Sequence, residues 1–185
     1  DLVPQLVPFA LIMNLLFAPF WAWVAGRTNK RRAWLYANAV SAAAYTVFFL
    51  SPSRDPAVAA VLIGAISAGN VAYQVLFWAM LPDTVEYNRW KTGQRHDAKV
   101  FGFASFAKQL ALGVNGALLG WLLLAIGYTP NQPQSEATLT GLKAIMALIP
   151  LAGVAISAAL IWHYPLDQAM HRRITLDDAE PEHAT

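Results

Sequence analysis

The 185-residue chain contains no cysteine, and charged residues make up only 13% of it. The absence of cysteine excludes disulfide frameworks, thiolate metal sites and cysteine nucleophiles. A charged fraction about half that of average soluble domains, together with 57% hydrophobic residues, indicates a membrane protein. The net charge of +2 is too small to indicate nucleic acid as a partner, because the basic residues are spread over several segments.

Acidic side chains are missing from every long apolar run of the chain. A site for a coupling cation needs carboxylates, carbonyls or a protonatable group, so we expect such ligands to lie outside these runs. Enzymatic motifs are also missing: the four histidines show no HExxH spacing, and there is no GxSxG motif or glycine-rich phosphate loop. We therefore expect no enzyme, no cofactor and no resident metal ion.

Five apolar runs approach the length of about 20 residues that a helix needs to cross a bilayer. They are continuously apolar rather than alternating, which favours helices over the strands of a membrane barrel. The sequence therefore predicts an all-α polytopic membrane domain over residues 1–170 and a cytoplasmic tail over 171–185. The predicted spans are 2–25, 33–51, 56–81, 98–128 and 141–164.

The chain opens at Asp1, without an initiator methionine or a basic signal-peptide region. We therefore expect it to be a piece of a longer protein, incomplete at its N-terminus.

Basic residues predict the orientation of the spans. Ten of the 13 Lys and Arg residues lie in segments 25–32, 82–99 and the C-terminal tail, which share one side if there are five spans. Only Arg54 and Lys143 lie on the other side. This bias predicts a cytoplasmic C-terminus. The location we expect is the plasma membrane, which is the inner membrane in a bacterium. Segment 82–99 is so rich in charge that we predict it to be a loop at the membrane surface.

Lys108 is the one charged residue that lies well inside a predicted span, away from the ends where Lys99 and Lys143 fall. A charge near the middle of a span costs at least ~2.5 kcal/mol on insertion scales, so it normally faces a partner or a cavity. Three interpretations stay open: the side chain snorkels to the headgroups, forms a structural ion pair, or binds substrate and takes part in coupling. Ser105 lies on the same helical face, which favours a binding role.

The preceding span contains a second polar stripe, formed by Ser67, Asn70 and Gln74, with Tyr73 beside it. Polar residues at this depth often satisfy hydrogen bonds between helices. A tyrosine next to two amides is also a typical sugar site, because its flat ring packs against apolar sugar faces and the amides bind hydroxyls. Both interpretations stay open.

Residues 81–95 (LPDTVEYNRWKTGQR) resemble the loop between helices ten and eleven of the glycoside-pentoside-hexuronide:cation symporters, the melibiose-carrier family. Residues 126–131 (IGYTPN), followed by Gln134 and Ser135, resemble that family's next loop. The resemblance implies helices 8–12 of a twelve-helix major facilitator fold. It implies that Lys108 is the functional lysine of helix eleven and that Tyr73 stands where the melibiose carrier has a tryptophan lining the sugar pocket. It also implies that segment 26–32 corresponds to a cytoplasmic superfamily loop, here with Asn29 in place of its glycine.

The sequence thus predicts a secondary active transporter that couples Na⁺ or H⁺ to the entry of a sugar or glycoside by alternating access. Its partners are the sugar, the monovalent cation, the lipid bilayer and a missing N-terminal half that would contain the cation-binding acids. The alternative is a drug or organic-anion exporter or exchanger, or else a non-transporting membrane protein. The predicted substrate residues are Tyr73, Gln74, Asn70, Lys108 and Ser105, with Lys108 also coupling the cation. The predicted cytoplasmic gating residues are Asp83, Glu86, Tyr87, Arg89, Lys91 and Arg95.

Overall fold

The computed structural model describes residues 3–51, 56–94 and 96–162. The described residues form five α-helices, which confirms the predicted all-α fold class. The helices are α1 (Val3–Arg27), α2 (Lys30–Leu50), α3 (Pro56–Thr92), α4 (Asp97–Ala125) and α5 (Glu136–Trp162). The predicted tail, residues 171–185, lies outside the described residues.

Four of the described helices are long and apolar enough to cross a membrane: α2, α3 from Ala60 onward, α4 and α5. The chain is therefore an integral membrane protein by the length and composition of its helices. Residues 3–25 of the first predicted span lie in α1, a helix of 25 residues.

The prediction of a loop over the charged segment 82–99 is wrong for most of its length. Helix α3 continues through Pro82 to Thr92, and only residues 93–96 separate it from α4. The reason is local: Pro82 is followed by ten residues without glycine or proline, and Gly93 then ends the helix with a φ of +69°. At 1.5 Å per residue, the 37 residues of α3 measure about 55 Å, well beyond the ~30 Å hydrocarbon core.

The core lies where α1, α2 and α3 meet. Ala33 and Ala37 of α2 and Ala72 of α3 are completely buried, because small side chains let the helix backbones approach closely. Gly69 makes this approach closer still, since a Cβ at this position would collide with the Ser41 hydroxyl. Trp21 of α1 fills the remaining space, and its indole Nε1 donates to the Ala68 carbonyl at 2.8 Å.

Basic side chains tie α2 to α5 at both ends. Arg31, in the first turn of α2, donates to the carbonyl of Trp162 at the end of α5 at 2.6 Å, and its guanidinium lies over the Trp162 ring. Lys143, near the start of α5, donates to the Ser51 carbonyl just beyond α2 at 2.5 Å. Each cation satisfies a carbonyl that a helix end leaves without an intrahelical partner. The two helices therefore run antiparallel.

The packing of α4 is much looser. Its contact with the other described helices is mainly a short one with α3, and of its own residues only Ala104 is buried. A Cβ added at Gly102, Gly113, Gly116 or Gly120 would meet no described atom within 4 Å. A cleft therefore opens between α3 and α4.

Candidate functional site

A cavity of about 560 Å³ occupies the cleft between α3 and α4, and we call it the aromatic cavity. Its size lies within the range of small-molecule sites. Its principal side chains are Tyr73, Gln74, Phe77 and Trp78 on α3, and Phe103 and Lys108 on α4.

Helical spacing explains why these residues meet. On α3 the lining residues fall at positions 73, 74, 77 and 78, and on α4 at positions 103, 104, 107 and 108. Residues spaced by one, four and five positions share one face of an α-helix. Each helix thus presents one stripe to the cavity, and three of the predicted substrate residues, Tyr73, Gln74 and Lys108, lie on these two stripes.

Tyr73 is held in place at both its ring and its hydroxyl. Its hydroxyl donates to Asn38 Oδ1 on α2 at 2.7 Å, and its ring centroid lies 5.4 Å from that of Trp34. Trp34 in turn donates from Nε1 to Ser157 Oγ on α5 at 2.7 Å. The aromatic wall of the cavity is therefore fixed by hydrogen bonds to two neighbouring helices.

A second cavity of about 300 Å³ lies on the other side of this wall, between α2, α3 and α5. Trp34 and Tyr73 line both cavities, and the predicted residue Asn70 lines the second one. The Tyr45 hydroxyl lies within hydrogen-bonding reach of the Asn70 side chain. Trp34 bonds to Ser157, and Tyr73 bonds to Asn38. Polar side chains that bond to neighbouring helices in this way are typical of helix packing.

Lys108 reaches across the aromatic cavity from α4 to α3. Its Nζ lies 5.4 Å from the centroid of the Trp78 ring, within the range of a cation–π interaction. Acidic side chains are missing from the residues that line the cavity. Among the described residues, Lys108 makes no ion pair. The structural ion pair considered from the sequence is therefore not observed in this part of the chain.

The cation–π contact offsets part of the cost of placing Lys108 in a span. A charge near the middle of a span costs at least ~2.5 kcal/mol on insertion scales. Lys108 and Trp78 are both exposed among the described residues, and a cation–π contact at an exposed site contributes about 0.5–1 kcal/mol. The contact therefore accounts for less than half of that cost.

Ser105 lies apart from the other predicted substrate residues. It is exposed on α4 and does not line either cavity, because the cavity face of α4 runs through Ala104 and Lys108 instead. Sequence reasoning missed Trp34 and Asn38 as parts of the site. Asn38 was detectable as a polar residue inside an apolar run, and its 4% exposure shows that it is buried.

Asp83 forms an ion pair with a residue outside its own segment. Both of its carboxylate oxygens lie 2.7 Å from Lys30 Nζ, at the start of α2, and the same ammonium donates to the Ala79 carbonyl at 2.8 Å. Lys30 is brought there because Asn29 caps α2, its Oδ1 accepting from Arg32 N at 2.6 Å. The ion pair joins the start of α2 to a point on α3 about two and a half turns before Thr92, on the side predicted to be cytoplasmic.

The other predicted gating residues lie further along α3. Tyr87 packs against Trp90 with ring centroids 6.0 Å apart, while Glu86, Arg89 and Lys91 are exposed on the last three turns. Arg95 lies outside the described residues.

Comparison with known proteins assigns the family. A family model described as MFS/sugar transport protein matches residues 4–168. A glucuronide carrier protein homolog of Escherichia coli is 26% identical over 167 residues, covering 90% of this chain and 36% of that protein. An isoprimeverose transporter of Lactiplantibacillus pentosus is 28% identical over 175 residues, covering 94% and 36%. An uncharacterized symporter of Bacillus subtilis is 31% identical over 150 residues, covering 80% and 32%.

The chain spans about a third of the length of these relatives. The matched family is one of transporters, which confirms the expectation that the chain is not an enzyme. It also confirms the resemblance to the glycoside-pentoside-hexuronide symporters. The chain belongs to the MFS/sugar transport protein family of the major facilitator superfamily.

Proposed function

We propose that the protein is a secondary active transporter that moves a sugar or glycoside across the bacterial inner membrane together with Na⁺ or H⁺. The observation on which this depends is the aromatic cavity, where Tyr73, Gln74 and Lys108 meet. Aromatic rings, an amide and a cation suit a ligand with apolar ring faces and many oxygens. The names of two relatives, a glucuronide carrier homolog and an isoprimeverose transporter, agree with this substrate class.

In this proposal the sugar ring packs on Tyr73, while Gln74 and Lys108 donate hydrogen bonds to its oxygens. Asn70 supports the wall from behind, and Ser105 contributes only if α4 rotates on binding. Because the lining residues include no carboxylate, we assign the coupling-cation ligands to a part of the transporter beyond this chain. Lys108 then couples the two sites through its position in the sugar cavity.

Alternating access requires contacts that break and re-form at the cytoplasmic side. The Lys30–Asp83 pair is suited to this role because it joins α2 to α3 and remains partly exposed, at 36% and 24% of the two side chains. An exposed pair is weak, about 0–1 kcal/mol, so it can open at low cost. We propose that Glu86, Arg89, Lys91 and Arg95 join this gating network, with a cytoplasmic C-terminus.

The test is uptake by the protein as its gene encodes it, in a host that lacks its own glycoside carriers. Radiolabelled methyl glycosides and glucuronides serve as probes, with and without ionophores that collapse the Na⁺ or H⁺ gradient. We expect accumulation that disappears when one of the two gradients is collapsed. Accumulation that resists both ionophores would contradict coupling, and the absence of any uptake or exchange would contradict sugar transport.

A second candidate function is the export or exchange of an organic anion. The observation that favours it is Lys108, a cation in a cavity that no acidic residue lines. The discriminating measurement loads vesicles with labelled glucuronate and follows its exit. Exit stimulated by an external anion and insensitive to cation gradients would favour exchange over symport.

A further inference from the structure

We propose that Lys30 is a strap across a hinge at Pro82, which divides α3 into a packed arm (residues 56–81) and a distal arm (residues 83–92). The strap holds the angle between the two arms, and it opens when the distal arm swings. The inference rests on the proposed function in taking this side of the transporter to open and close. It adds to the proposed gating pair the hinge that the pair controls.

The proline creates a point of bending in α3 for a covalent reason. Pro82 has no backbone N–H, so the hydrogen bond that position 82 would give to the Trp78 carbonyl cannot form. The proline ring also crowds that carbonyl, and helices bend at such positions. The Thr84 hydroxyl donates to the Met80 carbonyl at 3.2 Å, a contact across the same turn that also favours bending.

Lys30 holds both sides of this turn. Its Nζ donates at 2.8 Å to the carbonyl of Ala79, three residues before Pro82, and at 2.7 Å to both carboxylate oxygens of Asp83, directly after it. One ammonium group thus spans the proline, with a bond to each arm. Lys30 is itself fixed at the start of α2, which Asn29 caps. A swing of the distal arm moves the Asp83 carboxylate away from the Ala79 carbonyl, so the ammonium group must release one of them.

The two arms differ in how they pack within the described part of the chain. Leu76 and Met80 of the packed arm are buried, at 0% and 8% exposure. In the distal arm Val85 is buried, whereas residues 86–92 are half-buried or exposed among the described residues. Segments with few buried apolar contacts open at the lowest free energy. Pro82 therefore lies close to the boundary between a part of α3 that is held and a part that can move.

The distal arm is linked to the aromatic cavity through α4. Only residues 93–96 separate α3 from Asp97, where α4 begins, and α4 places Phe103 and Lys108 in the cavity wall. Because the connection is so short, a displacement of the distal arm also displaces the start of α4. Opening of the strap therefore moves the α4 wall of the cavity relative to the α3 wall, as hinge motions in alternating access require.

Hydrogen exchange of the purified full-length transporter in lipid nanodiscs tests the strap without any substrate. We expect Lys30→Gln to speed amide exchange in segment 83–92 about fivefold and to leave segment 66–80 unchanged, because the distal arm swings more often. In a Pro82→Ala background the helix is continuous, and the same replacement should change exchange by less than about twofold. An equal effect in both backgrounds, or none in either, would overturn the proposal.

Arg31→Gln is the matched control for the loss of a positive charge. Arg31 is the next residue on α2, and it donates to the Trp162 carbonyl of α5 rather than to α3. Exchange in segment 83–92 should therefore stay at the wild-type rate in this variant. An increase there as large as that of Lys30→Gln would assign the effect to charge alone and reject the strap.

Uptake of the transported glycoside provides the second readout. Pro82→Ala should lower the maximal uptake rate about tenfold, because a continuous helix no longer swings at this point. A wild-type rate in Pro82→Ala would reject the hinge. Absence of uptake by the wild-type protein would instead reject the proposed function, and the exchange measurements would still decide whether Lys30 spans a hinge.

Discussion

The two sides of α3 pack in opposite ways. Towards α2, the interface is built from alanines, Gly69 and Ser41, and the backbones nearly touch. Towards α4, the side chains are large aromatics, and a cavity of about 560 Å³ remains. The difference shows that one helix can serve as a rigid support on one face and as the wall of an open cavity on the other.

The largest effect is expected on the side of α3 that faces α4, which we call the open side. The test there removes the charge of Lys108. Hydrogen bonds from charged groups contribute about 1.5–3 kcal/mol, so Lys108→Gln should weaken sugar affinity about 10- to 100-fold and abolish coupled accumulation. Lys99→Gln, on an exposed position of the same helix, is the matched control and should transport normally. Normal accumulation by a correctly inserted Lys108→Gln protein would remove this residue from the mechanism.

A pair of glycine substitutions compares the two sides directly. Gly69→Ala should lower the free energy of unfolding by about 1–3 kcal/mol, because the new methyl group collides with Ser41. Gly113→Ala on α4 should leave it unchanged or raise it by about 0.5–1 kcal/mol, since a Cβ there meets no described atom. Thermal unfolding of the purified protein in detergent measures both. A destabilised Gly113→Ala would mean that another part of the transporter covers this face of α4.

The sequence predicted the polar residues of the open side better than it predicted the contacts between them. The polar side chains Tyr73, Gln74 and Lys108 stand out against apolar runs, so their placement in one cavity could be proposed without coordinates. Trp78 could not, because an aromatic residue in a membrane span looks the same whether it contacts lipid or a cation. The contact becomes visible only when α3 and α4 are docked.

Contacts between residues far apart in the sequence could not be predicted either. Lys30 lies 53 positions before Asp83, and neither periodicity nor composition relates the two. Charge density predicts a loop in segment 82–99, whereas the stretch between Pro82 and Gly93 contains no glycine or proline and continues the helix. The spans themselves followed from continuous apolar runs, because the bilayer imposes length and backbone satisfaction on every helix.

Tyr73 stands between the two sides and allows its ring and hydroxyl to be tested separately. Tyr73→Ala removes the cavity wall, and we expect KM for the sugar to rise about tenfold, a loss of ~1.4 kcal/mol. Tyr73→Phe keeps the ring and leaves Asn38 Oδ1 without its donor, so stability should fall by about 1 kcal/mol with little change in KM. Uptake kinetics and thermal unfolding separate the two effects. Unchanged affinity in Tyr73→Ala would place the sugar elsewhere.

The smallest effect is expected at the Lys30–Asp83 pair, which links the start of α2 to α3 on the side predicted to be cytoplasmic. Because both side chains are partly exposed, Lys30→Ala should cost only about 0.5–1 kcal/mol of stability. If the pair opens during transport, the same variant should change the maximal uptake rate and its dependence on salt, while KM stays within about twofold. The charge swap Lys30→Asp with Asp83→Lys is the control, and it should restore the rate because the attraction between α2 and α3 is kept. A rate that is unchanged in Lys30→Ala would assign the pair to static packing, as an extension of the tight α2–α3 interface.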